Sequence, residues 1–267
     1  MYKTRQPFPP RVRSAALGAL AALLASSGAV AQDRFEIQVY DSEVSGAGAP
    51  GLELHANASR HRNGVRDDSP NQLLRVTLEP HLGVFGWGEL GGYLQGALRS
   101  GGSIDFAGAK LRFKARWPEK LWGGLGLAVN FELSAIPRRY EESVWGSEVR
   151  PILDLRAGPL YLALNPILAT DLAGPLAGHP QLEPGAKAAF FLGEQLSLGV
   201  EYYAGLGPLD AFLEAGGQSH KLFAVVDFSG PVFALNAGVG RGFAAAEPWE
   251  VKAIFGLHPR EAAPAPK

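Results

Sequence analysis

The sequence predicts an all-β fold: a closed antiparallel, up-and-down transmembrane β-barrel of about twelve strands, preceded by an N-terminal signal peptide. Three observations carry the prediction. From Gly51 onward apolar and polar residues alternate with period two, and a helical period is hard to find. The alternating segments are each about ten residues long, the length a tilted strand needs to cross a bilayer. The connections between them alternate between short and long, as they do when turns sit at one membrane face and loops at the other.

Residues 1–31 form an address. Lys3, Arg5, Arg11 and Arg13 precede an apolar run from Ala15 to Leu24, and Ala29, Val30 and Ala31 supply the small residues of a cleavage site. Cleavage there would leave a mature chain starting near Gln32 and change the formal charge from -1 to -5, because four cations and no anions are removed. Residues 32–50 are an N-terminal extension: an extra strand, a periplasmic tether or a segment folded into the lumen. The barrel is expected over residues 51–258, and a Pro- and Ala-rich tail over 259–267.

Within the barrel, Leu52, Leu54, Ala56 and Ala58 interleave with Glu53, His55, Asn57 and Ser59. Leu74, Val76 and Leu78 then alternate with Arg75, Thr77 and Glu79, and Leu90, Leu94 and Leu98 with Glu89, Tyr93, Gln95 and Arg99. The clearest case sets Ala109, Leu111, Phe113 and Ala115 against Lys110, Arg112, Lys114 and Arg116. Segments around 125–134 and 148–156 follow, then 159–169, 181–192, 195–206, 220–229, 232–243 and 250–258, giving twelve in all. Short connections fall near 85–87, 118–121, 158–159, 193–195 and 229–231; the longer ones fall near 60–71, 99–104, 136–146, 170–180, 207–218 and 244–249.

A soluble sandwich or small lipocalin-like barrel shows the same alternation with its apolar face turned inward. Three features favour the membrane barrel. The polar faces carry many charges of both signs, and the apolar face reads as carrying none. All five Trp (Trp87, Trp117, Trp122, Trp145 and Trp249) fall at segment ends, where an interfacial girdle would hold them. Export adds to all three.

Composition removes other classes. Of the 267 residues 46% are hydrophobic, 19% are charged and none is Cys, which excludes disulfide scaffolds, thiolate chemistry and Cys-ligated zinc. A net charge of -1 gives no basic footprint for nucleic acid. Outside the N-terminus no apolar stretch is long enough for a membrane helix.

Four prolines interrupt the strand pattern: Pro80, Pro151, Pro166 and Pro184, each after a polar residue. Proline deletes a ladder bond, so local β-bulges are expected at these points. If the 136–146 loop centres near 141, Glu132 lies opposite Arg150; if the next long loop centres near 174, Asn165 lies opposite Glu183. Tyr203 then falls opposite Gly185. Glu132, Arg150, Asn165, Glu183 and Tyr203, with Glu148 and Glu201 two residues away, make the candidate constriction or ligand contact; a salt-bridged lining of a narrow barrel is the plainer reading. Inward acids and bases are matched, nine against nine, which favours internal pairing. The basic strip Lys110, Arg112, Lys114 and Arg116 is the exception. It needs compensating acids, with Glu89 and Glu132 on the adjacent segments as candidates, and would attract anions where pairing is incomplete.

Catalytic motifs are weak. Residues 86–91 fit G-x-G-x-x-G, but a strand pattern follows where a helix is required. Six His are scattered without metal-ligand spacing, so no metal or cofactor is expected. Ser219 and His220 are adjacent, and consecutive strand residues face opposite ways, so a nucleophile–base pair is not formed.

Residues 35–41 (FEIQVYD), 89–95 (ELGGYLQ), 145–152 (WGSEVRPI), 164–168 (LNPIL), 199–203 (GVEYY) and 236–242 (NAGVGRG) resemble a group of uncharacterised bacterial outer-membrane β-barrels. That group lies near the putative transporters of the MetA-pathway (phenol degradation) type. The resemblance implies a barrel in the outer membrane and names no substrate. Such barrels usually end on an aromatic residue, whereas here Phe255, Gly256 and Leu257 are followed by His258 and the tail. Together these readings point to a non-enzymatic passive channel or small-solute transporter. The alternatives are a structural or adhesion barrel with a charge-paired closed lumen and, more remotely, a membrane-embedded hydrolase. Expected partners are membrane lipids, the barrel-insertion machinery and small solutes, without nucleic acid.

Overall fold

The structure, a computed structural model, describes residues 33–60, 72–99, 102–118, 121, 123–141 and 143–257. The signal peptide over 1–31, Trp122 and the tail over 259–267 lie outside the described residues. Fifteen ladder segments follow in chain order: β1 (Pro50–Arg60), β2 (Gln72–Phe85), β3 (Gly88–Arg99), β4 (Ile104–Arg116), β5 (Leu125–Ala135), β6 (Trp145–Ala157), β7 (Leu160–Asn165), β8 (Leu168–Asp171), β9 (Gln181–Leu182), β10 (Gly185–Phe191), β11 (Leu196–Gly205), β12 (Gly207–Pro208), β13 (Ser219–Ser229), β14 (Phe233–Ala244) and β15 (Trp249–Leu257). Three pairs, β7 with β8, β9 with β10 and β11 with β12, are the two halves of single spans, so the barrel has twelve. All pairings are antiparallel between neighbours, and β1 pairs with β15, which closes the ring and leaves no open edge. Among the described residues there is no helix.

The alternation resolves into two environments. Leu94, Leu111, Leu133, Leu198, Val239 and Val251 point outward and are each about half exposed, while Glu79, Arg112, Glu132, Arg150, Glu201 and Lys252 point inward and are buried. A soluble barrel has the opposite arrangement. Trp87 and Trp117 sit on the outer surface at the short-turn end, and Trp145 and Trp249 at the long-loop end, which places aromatic side chains at both margins of the apolar band. Among the described side chains, one charge departs from the sequence reading of the outer face. Arg241 lies on it at the long-loop margin, its guanidinium 4.9 Å from the Trp249 ring centre, where a cation reaches headgroups rather than acyl chains.

The prolines do not make bulges. Register shifts occur between Gln72 and Leu74, Gly83 and Phe85, and Gln95 and Gly96, none of them at a proline. Pro80 and Pro151 sit within continuous β2 and β6. Pro166 and Pro184 instead mark gaps, between β7 and β8 and between β9 and β10. The register is the same on both sides of these gaps, so Pro151, Pro166 and Pro184 form one row across three adjacent spans. A proline beside a proline forfeits ladder bonds without moving the strands, because the flanking pairs hold the register.

Candidate functional site

Residues 33–49 are not a thirteenth strand. They run down the inside of the barrel as irregular chain. At the long-loop end Arg34 approaches Glu247 at 3.9 Å, and Phe35 meets Tyr140 edge to face at 5.7 Å. At the short-turn end the Ser45 N–H donates to Glu89 at 2.8 Å and the Gly48 N–H to the Gly83 carbonyl at 2.7 Å. There the chain reverses, with the Ala49 N–H on the Gly46 carbonyl at 2.8 Å and Gly48 at φ +78°, and enters β1. A left-handed φ suits glycine, which has no Cβ to clash.

The alternation of residues 35–41 explains how the segment fits. Phe35 enters an apolar patch with Ala97 and Ala107, and Ile37 and Val39 enter another with Ala163, Tyr203, Phe223 and Val225. The polar residues between them meet the charged wall. Wall side chains also replace the ladder partners that the segment's backbone lacks. Asn165 accepts from the Tyr40 N–H at 2.6 Å and donates to the Tyr40 carbonyl at 3.1 Å. Thr77 donates to the Phe35 carbonyl at 2.9 Å, and Lys252 to the Ile37 carbonyl at 2.9 Å. Asp154 accepts from the Ser42 N–H at 2.5 Å. Buried backbone groups without partners would be costly, and these contacts remove that cost.

The sequence-predicted residues gather around this segment, though not all in the pairs expected. Glu132 is opposite Glu148 and Asn130 is opposite Arg150; Asn165 is opposite Gly185 rather than Glu183. Each pairing is displaced by two residues, because the loops are centred one residue away from the assumed positions. A shift of two keeps every side chain on its face. Tyr203 does lie opposite Gly185. Arg150 is fully buried between Glu36 at 3.2 Å and Glu148 at 2.7 Å, with the Tyr40 ring centre 4.3 Å from its guanidinium carbon. Glu132 accepts from Lys110 at 3.0 Å. Across the lumen Glu201 takes Tyr203 at 2.6 Å and Lys187 at 3.1 Å, and is ion-paired with Lys252. Glu183 stands at the gap between β9 and β10, half-buried, its N–H donating to the Ile167 carbonyl at 2.9 Å.

The basic strip is compensated twice over. From the wall, Glu132 meets Lys110, Glu79 meets Arg112 at 2.7 Å, and Glu89 meets Arg112 at 2.6 Å. From the luminal segment, Asp33 meets Lys110 at 2.7 Å, Asp41 meets Lys114 at 3.4 Å and Glu43 meets Arg116 at 2.9 Å. Burial disfavours the charged form of Asp33, but Lys110 and hydrogen bonds from Phe35 and Gln95 outweigh it and hold the carboxyl below its ordinary range. Burial, with Glu132 next in weight, pushes Glu36 up to about 7 despite Arg150 and Lys110. Sequence reasoning missed Asp33, Glu36, Tyr40, Asp41 and Glu43 as site residues. Their signal was an alternating stretch with no hairpin partner.

Ser219 is buried on the luminal side, whereas His220 stacks on Tyr202 at the outer face, its Nδ1 2.7 Å from the tyrosine hydroxyl. The two cannot act as nucleophile and base.

The chain matches no protein-family model and no curated protein. Among solved structures it is similar in fold to the KdgM porin, with TM-score 0.54 and 9% identity, covering 79% of this chain and 99% of that one. It is likewise similar to KdgM in complex with disordered oligogalacturonate, with TM-score 0.53 and 9% identity over 79% and 99% of the two chains. An outer membrane channel from Pseudomonas putida F1 aligns with TM-score 0.53 and 13% identity, over 83% of this chain and 99% of that one. These likenesses show the fold, an outer-membrane-type β-barrel.

Proposed function

We propose that the chain is an outer-membrane channel for small solutes whose path is the barrel lumen and whose resting state is closed by residues 33–49. One observation carries the reading. Residues 33–46 of the luminal segment are held by side chains and ion pairs, with backbone bonds to the wall at Gly48 and Ala49, and the segment contributes no strand to the ring, so residues 33–46 can leave without opening the ladder that closes the barrel. Glu132, Glu148, Arg150, Asn165, Glu183, Glu201 and Tyr203 then form the narrow part of the path. With the segment displaced, Lys114 and Arg116 lose Asp41 and Glu43, and the strip from Lys110 to Arg116 attracts anions. In this reading the protein catalyses no reaction, meets lipids through its apolar belt and reaches the membrane through the insertion machinery after signal cleavage. The resemblance to the group near the MetA-pathway transporters belongs to the same proposal and names no solute.

A second reading has its own observation. Glu36, Arg150 and Asn165 have no solvent exposure, as in a barrel whose paired charges close the lumen permanently. Planar-bilayer conductance of the refolded protein, compared with a variant lacking residues 33–46, separates the two. The channel reading expects rare openings in the first and steady current in the second. Absence of current from both would leave the structural barrel.

A further inference from the structure

We propose that Glu53, His55 and Glu79 form a divalent-cation site of the zinc type on the inner wall, a site that does not depend on whether the lumen conducts. The donors come from two adjacent strands. Glu53 of β1 lies directly opposite Glu79 of β2, and His55 is two residues along on the same luminal face. Sequence spacing conceals the set, because its third member lies on the neighbouring strand. Two carboxylates opposite each other repel unless a cation stands between them.

The distances suit an ion. His55 Nε2 is 2.9 Å from Glu79 Oε2 and 3.6 Å from Glu53 Oε2, and the three donor atoms lie within 4.8 Å of one another. Donors about 2.1 Å from a zinc ion stand about 3.0–3.5 Å apart, so only small side-chain rotations are required. One imidazole with two carboxylates favours zinc and its neighbours over magnesium or calcium, which take oxygen donors in larger number. The surroundings fix the ligands. Arg112 Nε donates to Glu79 Oε1 at 2.7 Å, which orients that carboxylate and leaves Oε2 for the site. His55 and Glu79 are buried, while the Glu53 side chain keeps 21% of its exposure, so one side of the site is open for entry and for a water ligand.

His81 adds a nearby imidazole. It lies opposite Gly51 on the same face, and its ring occupies the space above that glycine; a Cβ at residue 51 would stand 2.0 Å from His81 Nε2. Its Nδ1 is buried without a hydrogen-bond partner. A protonated His55 could instead neutralise the two acids without metal, and the test must distinguish the two.

Untagged full-length protein, refolded and dialysed against chelator, is titrated with zinc chloride by calorimetry beside Glu53→Gln, His55→Gln and Glu79→Gln. Folding of each variant is checked by heat-dependent gel mobility. The expected result is one zinc per chain, weakened at least about tenfold in Glu53→Gln and lost in His55→Gln and Glu79→Gln, with magnesium unable to compete. X-ray absorption of the zinc-loaded parent gives a readout independent of any variant, with a first shell containing imidazole nitrogen and carboxylate oxygen. No stoichiometric zinc, binding unchanged in folded His55→Gln, or a shell without imidazole would overturn the site. Any of these would leave the conductance comparison untouched, and a silent lumen would leave the zinc titration untouched.

Discussion

Asn165→Ala tests the luminal segment at its most specific contact. The Asn165 side chain is fully buried and meets both backbone groups of Tyr40, accepting at 2.6 Å and donating at 3.1 Å. Alanine removes both bonds and leaves a buried N–H and a buried carbonyl unpaired when the segment is docked. At about 1–1.5 kcal/mol per lost hydrogen bond, docking weakens by about 2–3 kcal/mol. With 1.4 kcal/mol to a factor of ten, the undocked population rises about 30- to 150-fold. The barrel is little affected, since among the described residues the Asn165 side chain bonds to the segment alone. Hydrogen exchange of the amides over residues 35–45 measures the change directly, because exchange through local opening scales with the undocked population. Single-channel open probability should rise by the same factor if undocking is the gate. Leu198→Ala, on the lipid face of β11, should alter neither. Exchange within twofold of the parent in a folded Asn165→Ala barrel would refute the docking account.

Three further outcomes follow from the same geometry. Glu36 stands at about 7 when docked against an ordinary value of 4.5, so the docked segment holds a proton that the free one lacks between those values. Docking is therefore strongest below about pH 4.5 and weakens as pH rises through 7, while Asp33, held below 3.8, contributes in the opposite sense only in stronger acid. Open probability should rise from pH 5 to pH 8 and lose that slope in Glu36→Gln; an unchanged slope would remove Glu36 from the response. The chain has no Cys, and a Cβ at residue 126 would stand 3.0 Å from Ser42 Cβ, about 0.5 Å short of the usual disulfide span, and 2.4 Å from Asp154 Oδ1, so Ser42→Cys with Gly126→Cys should lock the segment with the Asp154 side chain turned aside. Current through the fully oxidised pair would show that the segment is not the gate, whereas opening on reduction supports it. Leu111 faces outward near the middle of β4 with 61% exposure, and Leu111→Arg should cost about 2–4 kcal/mol in urea unfolding from lipid vesicles, as a midplane cation does. A loss below about 0.5 kcal/mol would mean that this face does not meet acyl chains.

Much of the barrel was legible because strand alternation is a local signal. Lys110 to Arg116 against Ala109 to Ala115 sorts the residues of β4 onto two faces, and the short turn at Gly86 and Trp87 fixes the direction of two strands at once. The adjacent segments also supplied Glu89 and Glu132 as the acids to compensate the basic strip, and the structure pairs them with Arg112 and Lys110, which are diagonal rather than opposite neighbours. Pairing across long loops was less legible: the centre of 136–144 cannot be read from composition, and one residue of error moved Glu132 from Arg150 to Glu148. The prolines misled for a physical reason. A bulge is one response to a missing N–H, but three prolines aligned across neighbouring spans can share a gap without any slip, and alignment across strands is invisible along one strand. Residues 35–41 carried a strand's alternation without a strand's fate, because both of their faces are buried by the lumen rather than one by a neighbour.

The way the segment is held also bears on why the lumen carries so many charges. A wall of matched acids and bases could close itself, and Arg112 takes both of its ion-pair partners, Glu79 and Glu89, from the wall. Arg150 is different. Its guanidinium is shared between Glu148 of the wall and Glu36 of the segment, and Lys110 is shared in the same way among Glu132, Asp33 and Glu36. Losing the only partner of a buried charge is costly, whereas losing one of two and admitting water in its place is much less so. In the proposed channel, wall acids would keep Arg150 and Lys110 paired when the segment leaves, which would lower the barrier to undocking, while the segment's acids and the Tyr40–Asn165 bonds would define where it returns. A lumen lined only with unpaired cations would bind the same segment too tightly to release it.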